Sequence, residues 1–315
     1  DCAVVAPDSQ GRAAVHTVDF LRSMVDDPYV LGIIAANHAL SDCHAMGAEP
    51  RTALAMAVVP FGFESKVEDT LLQMMSGAVK VLSENGCVLV GGHTCEGPDL
   101  SLGFAVNGAV KYPDGVLRKG GSAGGHVLVL TKALGTGVVL AAHMRGQARG
   151  LWVSTCVESM CESNGPAVAV LRKYGAASCT DVTGFGLLGH LGEMLRGSSV
   201  AVELSLGALP GLPGAEECLG KGVLSSLDKS NRKHALPQIR NVADEAVMSH
   251  PRFSLLFDPQ TSGGLLAAIP AEDAQGCIEE LRAKGAASAA IIGKVTDVPK
   301  APDGVCALPP VHLVP

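Results

Sequence analysis

Apolar positions along the chain recur in two registers, and the switches between them mark the elements. Helical spacing runs through Leu31, Ile34, Ala35, His38, Asp42 and Ala45. It predicts a helix with Asp27 as N-cap, Pro28 at the first helical position and Gly47 at its end. A second helix is predicted over 66–85, where Val67, Leu71, Met74, Met75, Ala78, Val79 and Leu82 share one broad face and Gly86 stops it. Residues 152–174, 187–196 and 271–284 also read as helical, and Gly135-Thr136-Gly137 opens another helix. Short apolar runs at 13–20, 53–59, 102–110, 126–131, 200–204, 264–269 and 287–295 read as strands. Residues 87–90 read as a short buried strand that runs into Gly91-Gly92. The polar stretch 206–250, punctuated by Gly and Pro, reads as partly loop, and the proline-rich tail 299–315 as mobile.

Strands and helices alternate in both halves, but not as strict βαβ repeats. That favours an α+β fold with mainly antiparallel or mixed sheets covered by helices. A chain of 315 residues is long enough for two domains. The shift to Gly, Lys, Arg and Pro over 112–125 places the junction there, with one domain over 1–115 and another over 120–315.

Composition narrows the function classes. Apolar residues make up 47% but aromatic ones only 3%, so the cores are built from Ala, Val, Leu, Ile and Met. A charged fraction of 17% argues against extended disorder. The net charge is −7 without a dense basic block, which argues against nucleic-acid binding as the main task. A polyanionic substrate would need local neutralisation, most simply by metal ions. No apolar run approaches the roughly 20 residues that span a bilayer, and no secretory signal is legible, Asp1 standing without a Met or a basic region before it. The ten cysteines are scattered singly without a Cys-x-x-Cys pair, which argues against a zinc ribbon and fits a reducing cytosol.

The densest signal is Thr180-Asp181-Val182-Thr183-Gly184-Phe185-Gly186-Leu187-Leu188-Gly189-His190-Leu191. An Asp at the mouth of a glycine turn can hold a cation against a polyphosphate, or can simply close a tight turn. Asp42, in Leu40-Ser41-Asp42-Cys43-His44-Ala45-Met46-Gly47, lies in an otherwise apolar helix, where a carboxylate needs a partner. Gly91-Gly92-His93 follows a strand and would expose backbone N–H groups to phosphate oxygens. Asp258-Pro259-Gln260-Thr261-Ser262-Gly263-Gly264-Leu265-Leu266 reads as a turn with a close backbone approach, that is, as scaffold. By themselves, His93, His190 and His44 read as packed histidines, Asn231 and Arg232 as parts of a solvated loop, and Asp19 as a strand-end carboxylate.

Together these strings resemble the selenophosphate synthetase (selenide, water dikinase) family, over nearly the whole chain. The resemblance implies the two-domain fold of aminoimidazole ribonucleotide synthetase, an N-terminal domain that pairs across a homodimer, and a cytoplasmic enzyme. It implies synthesis of selenophosphate, AMP and phosphate from ATP, selenide and water, with Mg²⁺ and possible activation by a monovalent cation. It makes Asp1, Asp42 and Asp181 metal ligands, and Asp19, Asp42, Gly91, Gly92 and His93 nucleotide contacts. His38 stands where relatives commonly carry Asn. The family also has a glycine-rich segment with a catalytic Cys or selenocysteine and a Lys, upstream of the strand that begins at Asp1. Nothing in this sequence matches that segment, and Cys2 follows the metal ligand too closely to serve. The expectation is therefore an N-terminally truncated, poorly active form with no catalytic nucleophile inside the chain. Two other readings are another ATP-using enzyme of the same fold, which the Asp181 and Asp258 strings argue against, and a non-catalytic paralogue that binds nucleotide or partner proteins.

Overall fold

The computed structural model describes residues 1–298 and 309–315. The first part of the proline-rich tail, 299–308, with Cys306, lies outside the described residues. The chain divides into two compact units: Asp1–Val116 with Met160–Gly165, and Leu117–Ser159 with Pro166–Pro315.

The first unit comprises β1 (Ala3–Val4), β2 (Arg12–Arg22), α1 (Pro28–Ala45), β3 (Glu49–Pro60), α2 (Glu64–Glu84), β4 (Val88–Gly97) and β5 (Ser101–Lys111). Asp27 caps α1 as expected, its side chain accepting from the backbone N–H groups of Tyr29 and Val30, with Pro28 at the start. Gly47 and Gly86 follow the two helices with φ of 65° and 67°, the left-handed conformation that ends a helix at least cost. The strands form one sheet in the order β1-β2-β5-β3-β4, antiparallel except for the parallel pair β3–β4. One face is buried: Ala13 and Val15 of β2, Ala53, Ala55 and Ala57 of β3, and Leu102, Phe104 and Val106 of β5 join Leu31, Leu40, Met74 and Leu82 of the two helices in a single core. The small residues of β3 and α1 compensate for the scarcity of rings. α1 and α2 approach until a Cβ on Gly32 would lie 2.0 Å from the Met74 carbonyl oxygen, and one on Gly77 2.0 Å from that of Tyr29.

The other face of this sheet is open and apolar. Register places Val18, Ala105, Leu54 and Gly91 on one rung and Phe20, Gly103, Met56 and His93 on the next. Val18 is 62% exposed and Phe20 50%, and Leu54, Met56, Val88 and Val90 are exposed as well.

The second unit contains β6 (His126–Leu130), α3 (Thr136–Met144), α4 (Gly150–Cys161), α5 (Gly165–Lys173), β7 (Ser178–Asp181), α6 (Gly186–Ser198), β8 (Ala201–Ser205), α7 (Ala215–Gly220), α8 (Asp228–Ala235), α9 (Glu245–Met248), β9 (Leu265–Pro270), α10 (Ala274–Ala283), β10 (Ala290–Thr296) and β11 (Val311–Val314). α4 and α5 begin or end within the short 160–165 segment that groups with the first unit. The sheet order is β11-β8-β10-β6-β9-β7, antiparallel except for β11 with β8.

The stretch 152–174, read as mostly helical, is two helices, because Ser163 and Asn164 leave helical geometry and bond Asn85 and Ser41. The polar stretch 206–250, read as partly loop, carries α7, α8 and α9 between its loops. One reading is corrected. The end of the tail is β11, in register with β8 from Val311–Val202 to Val314–Ser205. Its proline content hid a four-residue strand whose pairing partner lies far away in sequence.

Candidate metal and nucleotide site

In the first unit, the two-residue period of β2 turns Val18 and Phe20 to the open face and Thr17 and Asp19 to the face that α1 covers. On α1, His38 and Asp42 are four residues apart and so share a side of the helix. Thr17 Oγ1 donates to Asp42 Oδ2 at 2.5 Å. His38 Nε2 lies 3.7 Å from Asp19 Oδ1, so the departure from Asn at this position puts a titratable base beside a carboxylate. Asp19 is pushed up to about 7, first by burial and then by the negative charge of Asp42. Asp1 and Asp42 each offer a carboxylate oxygen, within 4.8 Å of one another. Carboxylates this close repel when ionised, and a hard cation held by both relieves the repulsion. The donor set, oxygen only, fits Mg²⁺.

The start of the chain is fixed by sulfur. The Cys2 backbone N–H donates to Met46 Sδ at 3.0 Å, and its thiol lies 3.9 Å from Cys43 Sγ. The hydrogen bond to Cys43, burial and the nearby Asp42 charge all push the Cys2 thiol strongly up. Cys2 is therefore held as a thiol, the opposite of an activated nucleophile.

Gly91, Gly92 and His93 are not a loop after a strand. β4 continues through them to Gly97, pairing with β3 from Thr52–Val88 to Pro60–Gly97, with an irregularity where Ala53 and Leu54 meet Leu89 and Gly91. β4 is the sheet edge, so these residues are exposed while their backbone is paired on one side only. His93 is exposed on the open face rather than packed. The glycines read as strand breakers because glycine weakens a strand interior, but parallel pairing to β3 overrides that local preference.

In the second unit, Asp181 ends β7 opposite Leu265 and is 3% exposed. The turn after it is held from several sides. Val182 N–H donates to Gly264 O at 2.9 Å, Gln260 N–H to Thr183 O at 3.0 Å, and Gly186 N–H to Thr183 O at 3.0 Å. Thr183 N–H donates to His190 Nε2 at 3.1 Å, which gives His190 the structural role that its sequence context suggested. Gly186 takes φ of 71° as α6 begins.

The Asp258–Leu266 string is the frame of that turn. A Cβ on Gly263 would lie 2.0 Å from Val182 O, and one on Gly264 2.5 Å from Lys132 N. Gln260 Oε1 accepts from the backbone N–H groups of Gly135 (3.0 Å) and Thr136 (3.2 Å), joining the frame to the start of α3. Asp258 accepts from Gln260 Nε2 at 3.1 Å, and its carboxyl is pushed up to about 7 by burial, against the pull of backbone N–H groups of Val138 and Gly137.

Several positioning residues escaped the sequence reading. Asn231 is buried on α8, and its Nδ2 donates to Gly184 O at 3.0 Å and Phe257 O at 2.9 Å, tying α8 to the turn. Arg232 bonds Asp228 (2.6 Å) and Ser254 (2.8 Å) and lies over the Phe257 ring at 4.6 Å. Neither belongs to a solvated loop. Lys132, 4% exposed, donates to Ser262 O at 2.9 Å and Ser159 O at 3.1 Å. The only local hint was a lone Lys closing an apolar strand.

Comparison with known proteins follows the same division. Residues 1–110 match the N-terminal domain of AIR synthase related proteins and residues 123–302 the C-terminal domain. A selenide, water dikinase from Pelobacter propionicus is 39% identical over 293 residues, covering 92% of this chain and 82% of the relative. Thiamine monophosphate kinase from Aquifex aeolicus is similar in structure, with a TM-score of 0.68 at 17% identity, over 99% of this chain and 90% of that one. Hydrogenase maturation protein HypE in complex with ATP has a TM-score of 0.67 at 18% identity, over 95% of this chain and 81% of that one.

Proposed function

The chain belongs to the selenide, water dikinase family, and from that premise we propose that it makes selenophosphate, AMP and phosphate from ATP, selenide and water. The observation that carries this reading is the close pair of carboxylates at Asp1 and Asp42, beside Asp19, in a chain of this family. Phosphoryl transfer asks for charge neutralisation and alignment more than for covalent chemistry. Asp1 and Asp42 from the first unit and Asp181 from the second would hold Mg²⁺, as the matching motifs imply. Bound there, the cation would neutralise charge on the phosphates and on the leaving oxygen. Thr17 orients the Asp42 carboxylate through its hydroxyl, and Asp19 accepts polar groups of the nucleotide. The frame at 258–264 fixes the backbone on which Asp181 stands. Selenide takes the γ-phosphoryl group, and water then cleaves the remaining ADP to AMP and phosphate. The use of selenide and the free cysteines support a reducing, cytoplasmic setting.

Anaerobic phosphorus NMR of the protein with ATP, Mg²⁺ and selenide tests this directly. Selenide-dependent selenophosphate with equimolar AMP is expected, formed slowly, as the lack of an assigned Cys or selenocysteine nucleophile implies. ADP as the end product, or ATP consumption independent of selenide, would contradict it.

The open sheet face supports a homodimer. Rows of exposed Val18, Phe20, Leu54 and Met56 form an apolar surface that a second copy could cover, with Gly91 and His93 at its edge. In sedimentation experiments the protein should run as a dimer and Phe20→Arg as a monomer. A monomeric wild-type protein would sink the proposal.

A further inference from the structure

A cavity of about 450 Å³ opens in the second unit against α6 and α8. Its volume falls within the roughly 300–1,000 Å³ typical of small-molecule sites. The floor is bare backbone, because Gly184 and Gly189 carry no side chain there. Phe185, 63% exposed, and Leu227, 48% exposed, supply the apolar part of the wall. The Phe185 ring is steadied by the His190 imidazole, with centroids 5.6 Å apart. A large ring left in water beside a glycine floor is a surface on which a flat molecule gains burial on both sides.

The polar groups of the cavity fix the charge of that molecule. Glu193 is engaged by Lys119 Nζ at 2.5 Å, so its charge is offset. His234 Nδ1 lies 2.8 Å from Ser230 O and so donates to it. Arg196 is exposed in the last turn of α6 and shares this wall with Glu193, so that with Lys119 two cations stand against one carboxylate there. An arginine presents a planar fork that suits carboxylate, sulfonate or phosphate oxygens.

We propose that this cavity binds a flat aromatic or heteroaromatic monoanion, its ring against Phe185 and its charge at Arg196. The site is distinct from the carboxylates assigned to ATP and selenide chemistry, and it does not depend on that assignment. It does adjoin the Asp181 turn, because Asn231 of α8 holds Gly184 O. A bound ring would therefore stiffen the turn as well as the two helices.

The probe is 1-anilinonaphthalene-8-sulfonate, compared with the neutral N-phenyl-1-naphthylamine, on the full chain. Fluorescence titration should give a saturable site for the sulfonate. Hydrogen exchange should then show protection over 184–196 and 227–238. Arg196→Glu should weaken the sulfonate about tenfold or more and leave the neutral amine within about twofold. Ser230→Trp, which fills the cavity, should weaken both about tenfold. Both positions are exposed, and unchanged melting temperatures would establish that the variants fold. Protection at 18–20, 54–56 and 88–90 with none along α6 and α8 would place the probe on the open sheet face and overturn the proposal. So would equal losses for both probes in Arg196→Glu, or no loss in Ser230→Trp. The exchange measurement on the wild-type protein decides the matter even if a variant fails to fold.

Discussion

The aspartates of the first unit and the aspartate of the second are supported in opposite ways. Asp1, Asp19 and Asp42 lie among one another, and charge is the problem their surroundings leave open. Asp19 is raised by its neighbour's charge, Asp42 has a hydroxyl donor in Thr17, and His38 offers a positive charge only when protonated. Asp181 instead follows a backbone path fixed by neutral groups: Gly264 O, His190, Gln260 and, through Gly184, Asn231. The first arrangement is one that a cation would relieve. The second is complete as a fold and presents one carboxylate in a fixed place. One cluster is organised by charge, the other carboxylate by the backbone that carries it.

The largest effect should come from breaking the positional part. In Gly263→Ala the new Cβ would meet the Val182 carbonyl oxygen at 2.0 Å, a backbone atom that cannot swing aside, and Gln260 Cβ at 2.9 Å. A loss of about 3–5 kcal/mol is expected in urea unfolding. A loss below about 1 kcal/mol would mean that the frame is not rigid.

A smaller effect sharpens the same contrast through pH. Asp258 sits in the frame with its carboxyl at about 7, against 3.8 for an unperturbed group. Its folded pKa is raised, so the protonated form is favoured by folding. Its stabilising contribution is full below about pH 4 and is lost as pH rises through 7. Wild-type stability should therefore fall by roughly 2 kcal/mol between pH 5 and pH 8 from this group, and Asp258→Asn should flatten that slope. Parallel slopes in the two proteins would place the carboxyl's titration elsewhere.

Much of this arrangement was legible in the sequence because it is written locally. Asp27-Pro28 and Gly47 bracket α1, and the apolar runs at 13–20 and 53–59 mark β2 and β3, while packing decides which of their residues face the helices. The motifs around Asp42, Asp181 and Asp258 carried the family, and the α+β reading followed from the pattern. What stayed hidden depends on distant partners. Gly91-Gly92 extends a strand only because β3 lies beside it. Asn231 looks like any polar loop residue until Gly184 O and Phe257 O are brought to it. Gln260 gains its role from α3, more than a hundred residues earlier. The strand at 311–314 has no signal beyond a few apolar residues among prolines, and β8 supplies the rest.

The first unit's carboxylates are proposed to bind the divalent cation that accompanies ATP. Electron paramagnetic resonance of Mn²⁺, titrated into the protein with a non-hydrolysable ATP analogue, tests it most directly. Wild-type protein should remove Mn²⁺ from the free signal with saturable stoichiometry, and Asp42→Asn, with folding unchanged, should weaken that binding by about tenfold or more. Equal Mn²⁺ affinity in the two proteins would contradict the account.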